Sequence, residues 1–235
     1  MPNSNIELLK QVARRLGPLL GEVVFVGGCT TGLFITDNAA GEVRPTFDVD
    51  VIAEIASYAE YAAFAERLRA LGFREDTSEG APPCRWLIDE MTVDVMPIEG
   101  KVLGFTNRWY REAMNSAQEI ELESGLRIRT VTAPYFIATK LEAFRGRGRG
   151  DFATSHDMED LLTVINGREA ITGEIDVARE VGTYVAGALH GLIKNEAFLE
   201  SLPGHLLPDP VSQARVPLLV DRIRRIASRS TQEGR

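Results

Sequence analysis

Val26-Gly27-Gly28-Cys29-Thr30-Thr31 and, further along, Arg44-Pro45-Thr46-Phe47-Asp48-Val49-Asp50-Val51-Ile52 are the stretches on which the reading of this chain turns. The apolar run Val23 to Val26 ends in two glycines, where the backbone can approach a ligand closely and form a small anion-binding turn ahead of a predicted helix. The second stretch has the composition of a strand, and strand side chains alternate between faces. Asp48 and Asp50 therefore share one face, while Phe47, Val49 and Val51 share the other. Two neighbouring carboxylates repel each other and resist burial, so they call for a compensating cation, which a divalent metal supplies.

A third carboxylate lies in another run of β-formers, Met91-Thr92-Val93-Asp94-Val95-Met96. If that strand runs beside the first, Asp94 joins Asp48 and Asp50 around one point. Hard oxygen donors in this number suit magnesium, which keeps positions open for water and substrate phosphates. A Gly-Gly turn, an Asp-x-Asp strand and a later strand with a lone Asp, in this order, resemble the DNA polymerase β-type nucleotidyltransferase superfamily. The resemblance implies an α+β (α/β) fold, with a mixed sheet flanked by helices and a helical C-terminal domain. It also implies a two-ion Mg2+ site on Asp48, Asp50 and Asp94, serving transfer of a nucleoside monophosphate from an NTP. Asp94 is then the candidate for helping to deprotonate the acceptor hydroxyl. Gly27, Gly28 and Thr30 would cradle phosphates through backbone amides. Thr46, on the acid face, is a candidate for touching metal or nucleotide, and Arg44 for reaching a phosphate; a structural role fits each equally well. The competing reading of the three acids is solubilising residues at strand ends.

Composition sets bounds around this core. The chain has 235 residues and a formal charge of −8. No apolar run approaches the roughly 18–20 residues of a membrane span, and no signal pattern opens the chain, so a cytoplasmic protein without membrane contact is expected. The acidic balance argues against broad nucleic-acid coating, because phosphate affinity needs basic surface. A local basic run does exist, Arg145-Gly146-Arg147-Gly148-Arg149-Gly150. It reads either as a phosphate-binding element or as a solvated loop. Cys29 and Cys84 are too few and too far apart for a disulfide framework; Cys29 fits a buried filler better than a reactive thiol. His190 and His205 lack partners at metal-ligand spacing, and Trp86, Trp109 and Tyr135 read as core or interface aromatics.

Along the chain, Ser4 and Glu7 read as a capping box opening a helix that stops at Gly17-Pro18. Arg85–Ile88 and Thr92–Met96 read as strands joined through Asp89-Glu90, and 119–122 with 126–131 as a further hairpin. Past Ala133-Pro134 the period is helical throughout, which divides the chain into a catalytic domain, 1–132, and a helical domain, 133–235. Val177, Val181, Val185, Leu189 and Leu192 form one predicted helical stripe, and 228–235 are expected to fray.

The helical half holds a second constellation. Lys140 lies off the Ile137/Leu141/Phe144 stripe, free to face a cleft, and Asp157 and Asp160 stand one turn apart on a later helix. Lys140-Leu141-Glu142-Ala143 and His156-Asp157-Met158-Glu159-Asp160-Leu161 are similar to the Lys-Leu-x-Ala and Arg-Asp-x-x-Asp-Leu helices of the AbiEii/AbiGii-type nucleotidyltransferases, which include the MenT toxins. His156 departs from that pattern, standing where the family carries arginine. The narrower resemblance implies that Lys140 grips the triphosphate, that Asp157 orients it or completes the active site, and that Asp160 belongs with the nucleotide-binding residues. It further implies a tRNA 3′ end as acceptor and an antitoxin protein as partner. Enzymes that adenylylate aminoglycoside or lincosamide antibiotics carry similar Gly-Gly and Asp-x-Asp strands, and an inactive binding module is the third possibility.

Overall fold

A computed structural model of the chain describes residues 4–229, so most of the expected frayed tail, 230–235, lies outside the described residues. The chain forms two compact units. One joins the residues up to Gly32 with Arg44–Thr132; the other joins Leu33–Val43 with the residues from Ala133 onward. The segment Leu33–Val43, counted with the first half on sequence grounds, thus belongs to the helical unit. Among the described residues no helix is long and apolar enough to cross a membrane.

The first unit opens with helix α1, Ser4–Leu16, which buries Leu9, Val12, Ala13 and Leu16 as one stripe and ends at Gly17 in the left-handed region (φ 50°). Ser4, expected as the cap, is itself the first residue of the helix, and the Glu7 carboxylate pairs with Lys10 Nζ at 2.7 Å. Strand β1, Val23–Val26, is apolar on both faces and fully buried. Strand β2, Asp48–Ala53, follows, then helix α2, Tyr58–Ala70, started by a Ser57/Glu60 capping box that sequence reading had not singled out. Strands β3 (Arg74–Glu75), β4 (Arg85–Ile88) and β5 (Met91–Pro97) come next, then the short helices α3 (Gly100–Leu103) and α4 (Tyr110–Asn115). Strands β6 (Gln118–Glu123) and β7 (Leu126–Thr130) complete the unit.

The seven strands form one sheet in the order β3-β4-β5-β2-β1-β7-β6. β2 pairs with β5 in parallel and with β1 antiparallel, while β4 and β5 form the expected hairpin through Asp89-Glu90, with Asp89 at φ 50°. The central strands have a paired neighbour on each edge, and α1 packs on the sheet through β2, β5 and β7. The result is an α+β architecture with a mixed sheet.

In the helical unit, α5 (Ala133–Arg147) takes Pro134 in its first turn, where no backbone donor is lost. It packs on α6 (His156–Gly167) and on α7 (Ile171–Val177). Helix α8 (Arg179–Leu192) lies against α5, and α9 (Glu196–Ser201), α10 (Pro210–Gln213) and α11 (Val216–Ser228) follow, with α11 closing over α6, α7 and α8. The expected Val177-to-Leu192 stripe is broken: α7 stops at Val177, which is 79% exposed, and Arg179 restarts the chain at φ 39°. Apolar spacing alone does not show such a break, because the period resumes in phase. Leu33–Val43 is held by Phe34 against Phe136, ring centroids 4.8 Å apart, and by the Gly167 carbonyl, which accepts from Thr36 and Asp37 at 2.9 Å. Arg215 and Arg222 donate to the carbonyls ending α6 at Ile165 and Asn166, placing cations at the negative end of that helix.

Candidate functional site

Cross-strand register builds the first constellation. Asp50 pairs with Asp94 between β2 and β5, and Asp48 with Thr92, so the three carboxylates lie on one face of the sheet. Along the same row Val26 of β1 stands beside Asp50 and Arg85 of β4 beside Asp94. Arg85 meets Asp94 as a fork, Nε to Oδ1 at 2.9 Å and Nη2 to Oδ2 at 2.8 Å, and its Nη2 lies 3.7 Å from Asp48 Oδ2. Hydrogen bonding to Asp94 holds the guanidinium well above its ordinary pKa, so it stays charged. Sequence reading missed Arg85. The signal was available: a two-residue turn at Asp89-Glu90 fixes the hairpin register and sets Arg85 opposite Asp94.

The glycine turn serves the acids first. Gly27 adopts φ 78°, and a Cβ there would stand 2.8 Å from that of Asp50 and overlap its carboxylate. Gly28 opens a 3-10 turn that runs to Phe34, not an α-helix. Thr30 faces inward, its amide and hydroxyl both donating to the Gly27 carbonyl at 3.1 and 2.8 Å. Both Thr30 donors are thus engaged with the turn's own carbonyl in this structure. Thr46 donates its amide to Asn5 Oδ1 at 2.9 Å, and Asn5 donates to the Arg44 carbonyl at 2.9 Å, so α1 anchors the entry to β2. Arg44 Nη1 lies 3.5 Å from the Pro45 carbonyl. Cys29 is buried, and burial pushes its thiol up to about 12, against a hydrogen bond with Thr46. The filler reading of Cys29 is the one this geometry supports.

The helical unit gathers the second constellation by itself. Lys140 is only 7% exposed, contrary to the expected open orientation; its Nζ lies 2.7 Å from Asp160 and 3.3 Å from Asp157. Arg147, the last residue of α5, forks onto Asp157 with both contacts at 2.8 Å. Burial would raise the Asp157 pKa, but the Arg147 hydrogen bonds and the Lys140 charge outweigh it and hold the carboxyl below its usual range. Two acids and two cations thus meet, with Lys140, Asp157 and Asp160 buried and Arg147 reaching in from solvent. His156 is exposed and meets Glu159 at 3.3 Å. The arginine on Asp157 is Arg147 of the basic run. His205 contacts the Phe152 carbonyl at 2.6 Å, and Trp86 and Trp109 are buried in the core of the first unit.

With this geometry in place, comparison with solved structures finds the chain similar to an antigenic nucleotidyltransferase-like protein from Paracoccidioides brasiliensis. The TM-score is 0.52 at 16% sequence identity, covering 85% of this chain and 92% of that one. At that identity the likeness is one of fold, and the fold is nucleotidyltransferase-like. No protein-family model and no curated protein matches the chain.

The donor chemistry suits a hard divalent cation: three carboxylates share a sheet face, and Gly27 leaves the space that Asp50 needs. Their present arrangement is less permissive. Both oxygens of Asp94 are held by Arg85, and no group of three or more His, Cys, Asp or Glu among the described residues is disposed to hold a metal ion.

Proposed function

We propose that the protein is a magnesium-dependent nucleotidyltransferase that moves a nucleoside monophosphate from an NTP to an acceptor hydroxyl. The observation that carries this reading is the carboxylate row, Asp48 and Asp50 on β2 with Asp94 beside Asp50 on β5, at the end of a glycine-turned β1 in a nucleotidyltransferase-like fold. Magnesium held by Asp48 and Asp50, and by Asp94 once Arg85 releases it, would neutralise the triphosphate and stabilise the leaving pyrophosphate.

The chain's own groups do the rest. Gly27 keeps Asp50 directed along the sheet face, since no other residue leaves room there. Asp94, freed from Arg85, is the base within the row for the acceptor hydroxyl. Lys140, which now neutralises Asp157 and Asp160, is the ammonium assigned to the triphosphate, with Asp157 and Asp160 as the carboxylates that position it.

Resemblance to the AbiEii/AbiGii group favours a tRNA 3′ end as acceptor and a toxin paired with an antitoxin protein as the biological setting. Purified protein incubated with Mg2+, each labelled NTP, and either total tRNA or an aminoglycoside and lincosamide panel tests both levels. Label on tRNA that vanishes in Asp50→Asn is the expected result. Label on an antibiotic moves the acceptor to a small molecule. Transfer that survives Asp50→Asn, or no transfer to either acceptor class, overturns the proposal.

A further inference from the structure

Arg85 sets a cation against the carboxylate row, on Asp94 and near Asp48, and its placement follows from the backbone. The hairpin turn at Asp89-Glu90 sets Arg85 opposite Asp94, and the guanidinium fork matches a carboxylate edge, so both Asp94 oxygens are engaged at 2.9 and 2.8 Å. The fork also leans to within 3.7 Å of Asp48, so it spans acids on two strands. The pair is partly removed from water, which strengthens it relative to a surface bridge: the side chains are 29% and 11% exposed. A guanidinium cannot shed its proton at any working pH. A lysine in this position could neutralise itself when a second cation arrives; arginine has to move.

We propose that Arg85 is the resident counter-cation of the carboxylate row and competes with a divalent metal for Asp94, so that metal capture and release of the guanidinium are a single exchange. Without metal, Arg85 offsets the repulsion among Asp48, Asp50 and Asp94 and keeps the row folded. With metal, Asp94 turns from Arg85 to the ion, and the guanidinium is left beside the row as a donor for an anionic group. The inference rests on the nucleotidyl-transfer reading only in supposing that a divalent cation visits these acids. Its direct consequence runs against the usual effect of deleting a site arginine: losing Arg85 tightens metal binding.

Mn2+ affinity, measured by the electron paramagnetic resonance of the free ion in chelator-treated buffer, tests this on wild type, Arg85→Gln, Arg85→Lys and the Arg85→Gln/Asp94→Asn double variant. Arg85→Gln is expected to bind about tenfold more tightly than wild type, the scale of one charge-assisted contact. Arg85→Lys should fall between the two, and adding Asp94→Asn should cancel the gain. In the wild-type protein, the Arg85 Nε–Hε resonance, assigned by its absence in Arg85→Lys, should shift as Mg2+ is added. That measurement decides the matter if Arg85→Gln does not fold. Equal or weaker Mn2+ affinity in Arg85→Gln, or an Nε–Hε signal unmoved at saturating Mg2+, overturns the exchange while leaving the metal site intact. Absence of Mn2+ binding in wild type and Arg85→Gln alike removes the transfer reading together with the exchange.

Discussion

Gly27 and Asp50 occupy complementary space: the hydrogen that Gly27 carries in place of a Cβ is what lets the Asp50 carboxylate lie over the end of β1. The left-handed φ of 78° adds a second reason for glycine. Gly27→Ala should therefore cost about 1–3 kcal/mol of stability from backbone strain and displaced side chain. Asp50 should shift with it, so transfer activity should fall by far more than the folded fraction does. Urea unfolding paired with the labelled-NTP assay measures both; an alanine variant with wild-type activity would show that Asp50 does not depend on this space.

Lys140 is buried between Asp157 and Asp160, and removing it strands charge away from water. Lys140→Met should lose about 3–5 kcal/mol, the scale for breaking a buried pair from one side. Lys140→Met/Asp160→Asn should recover part of that loss, because Asp157 keeps its Arg147 fork. Denaturant midpoints of the two variants read the difference directly. No recovery in the double variant would mean that Lys140 acts through packing, not charge.

Asp157 has a depressed pKa in the folded protein, so its ionised form stabilises the fold. That contribution is complete above the ordinary carboxylate value, about 3.9, and is lost as pH falls through the lower folded value. Arg147 is 72% exposed, which discounts its share through solvent screening. Arg147→Gln should be less stable than wild type by about 1 kcal/mol near neutral pH. The two curves should converge as pH drops and Asp157 is protonated in both. Unfolding free energies measured from pH 7 down to the acid limit test the sign; a gap that widens in acid would contradict it.

Cys29 and Cys84 are both buried, and burial pushes each thiol up to about 12. Neither should react with a thiol reagent in the native protein at pH 8, and both should react in urea. Rapid native labelling of Cys29 would mean that the glycine turn opens far more often than its packing implies.

Local rules carried much of this protein in its sequence. Val23–Val26 ending in glycine, the alternation through Asp48 and Asp50, the two-residue turn at Asp89-Glu90 and Pro134 at a helix start each depend on neighbours a few positions away, and the chain states them openly. Backbone geometry then made the carboxylate row nearly inevitable once β2 and β5 lay side by side. Tertiary structure alone decided who neutralises whom. Lys140 looked free because helical spacing specifies a face and not what meets it; only the packing of α5 on α6 buries it between Asp157 and Asp160. Phe47 shares the strand face of Val49 and Val51 and yet is 87% exposed, because it sits just before the sheet begins to cover that side. Leu33–Val43 joins the helical unit through the end of α6, residues more than a hundred positions away in sequence. Charge pairing and burial are set by distances between segments, and a sequence orders those segments without measuring the space between them.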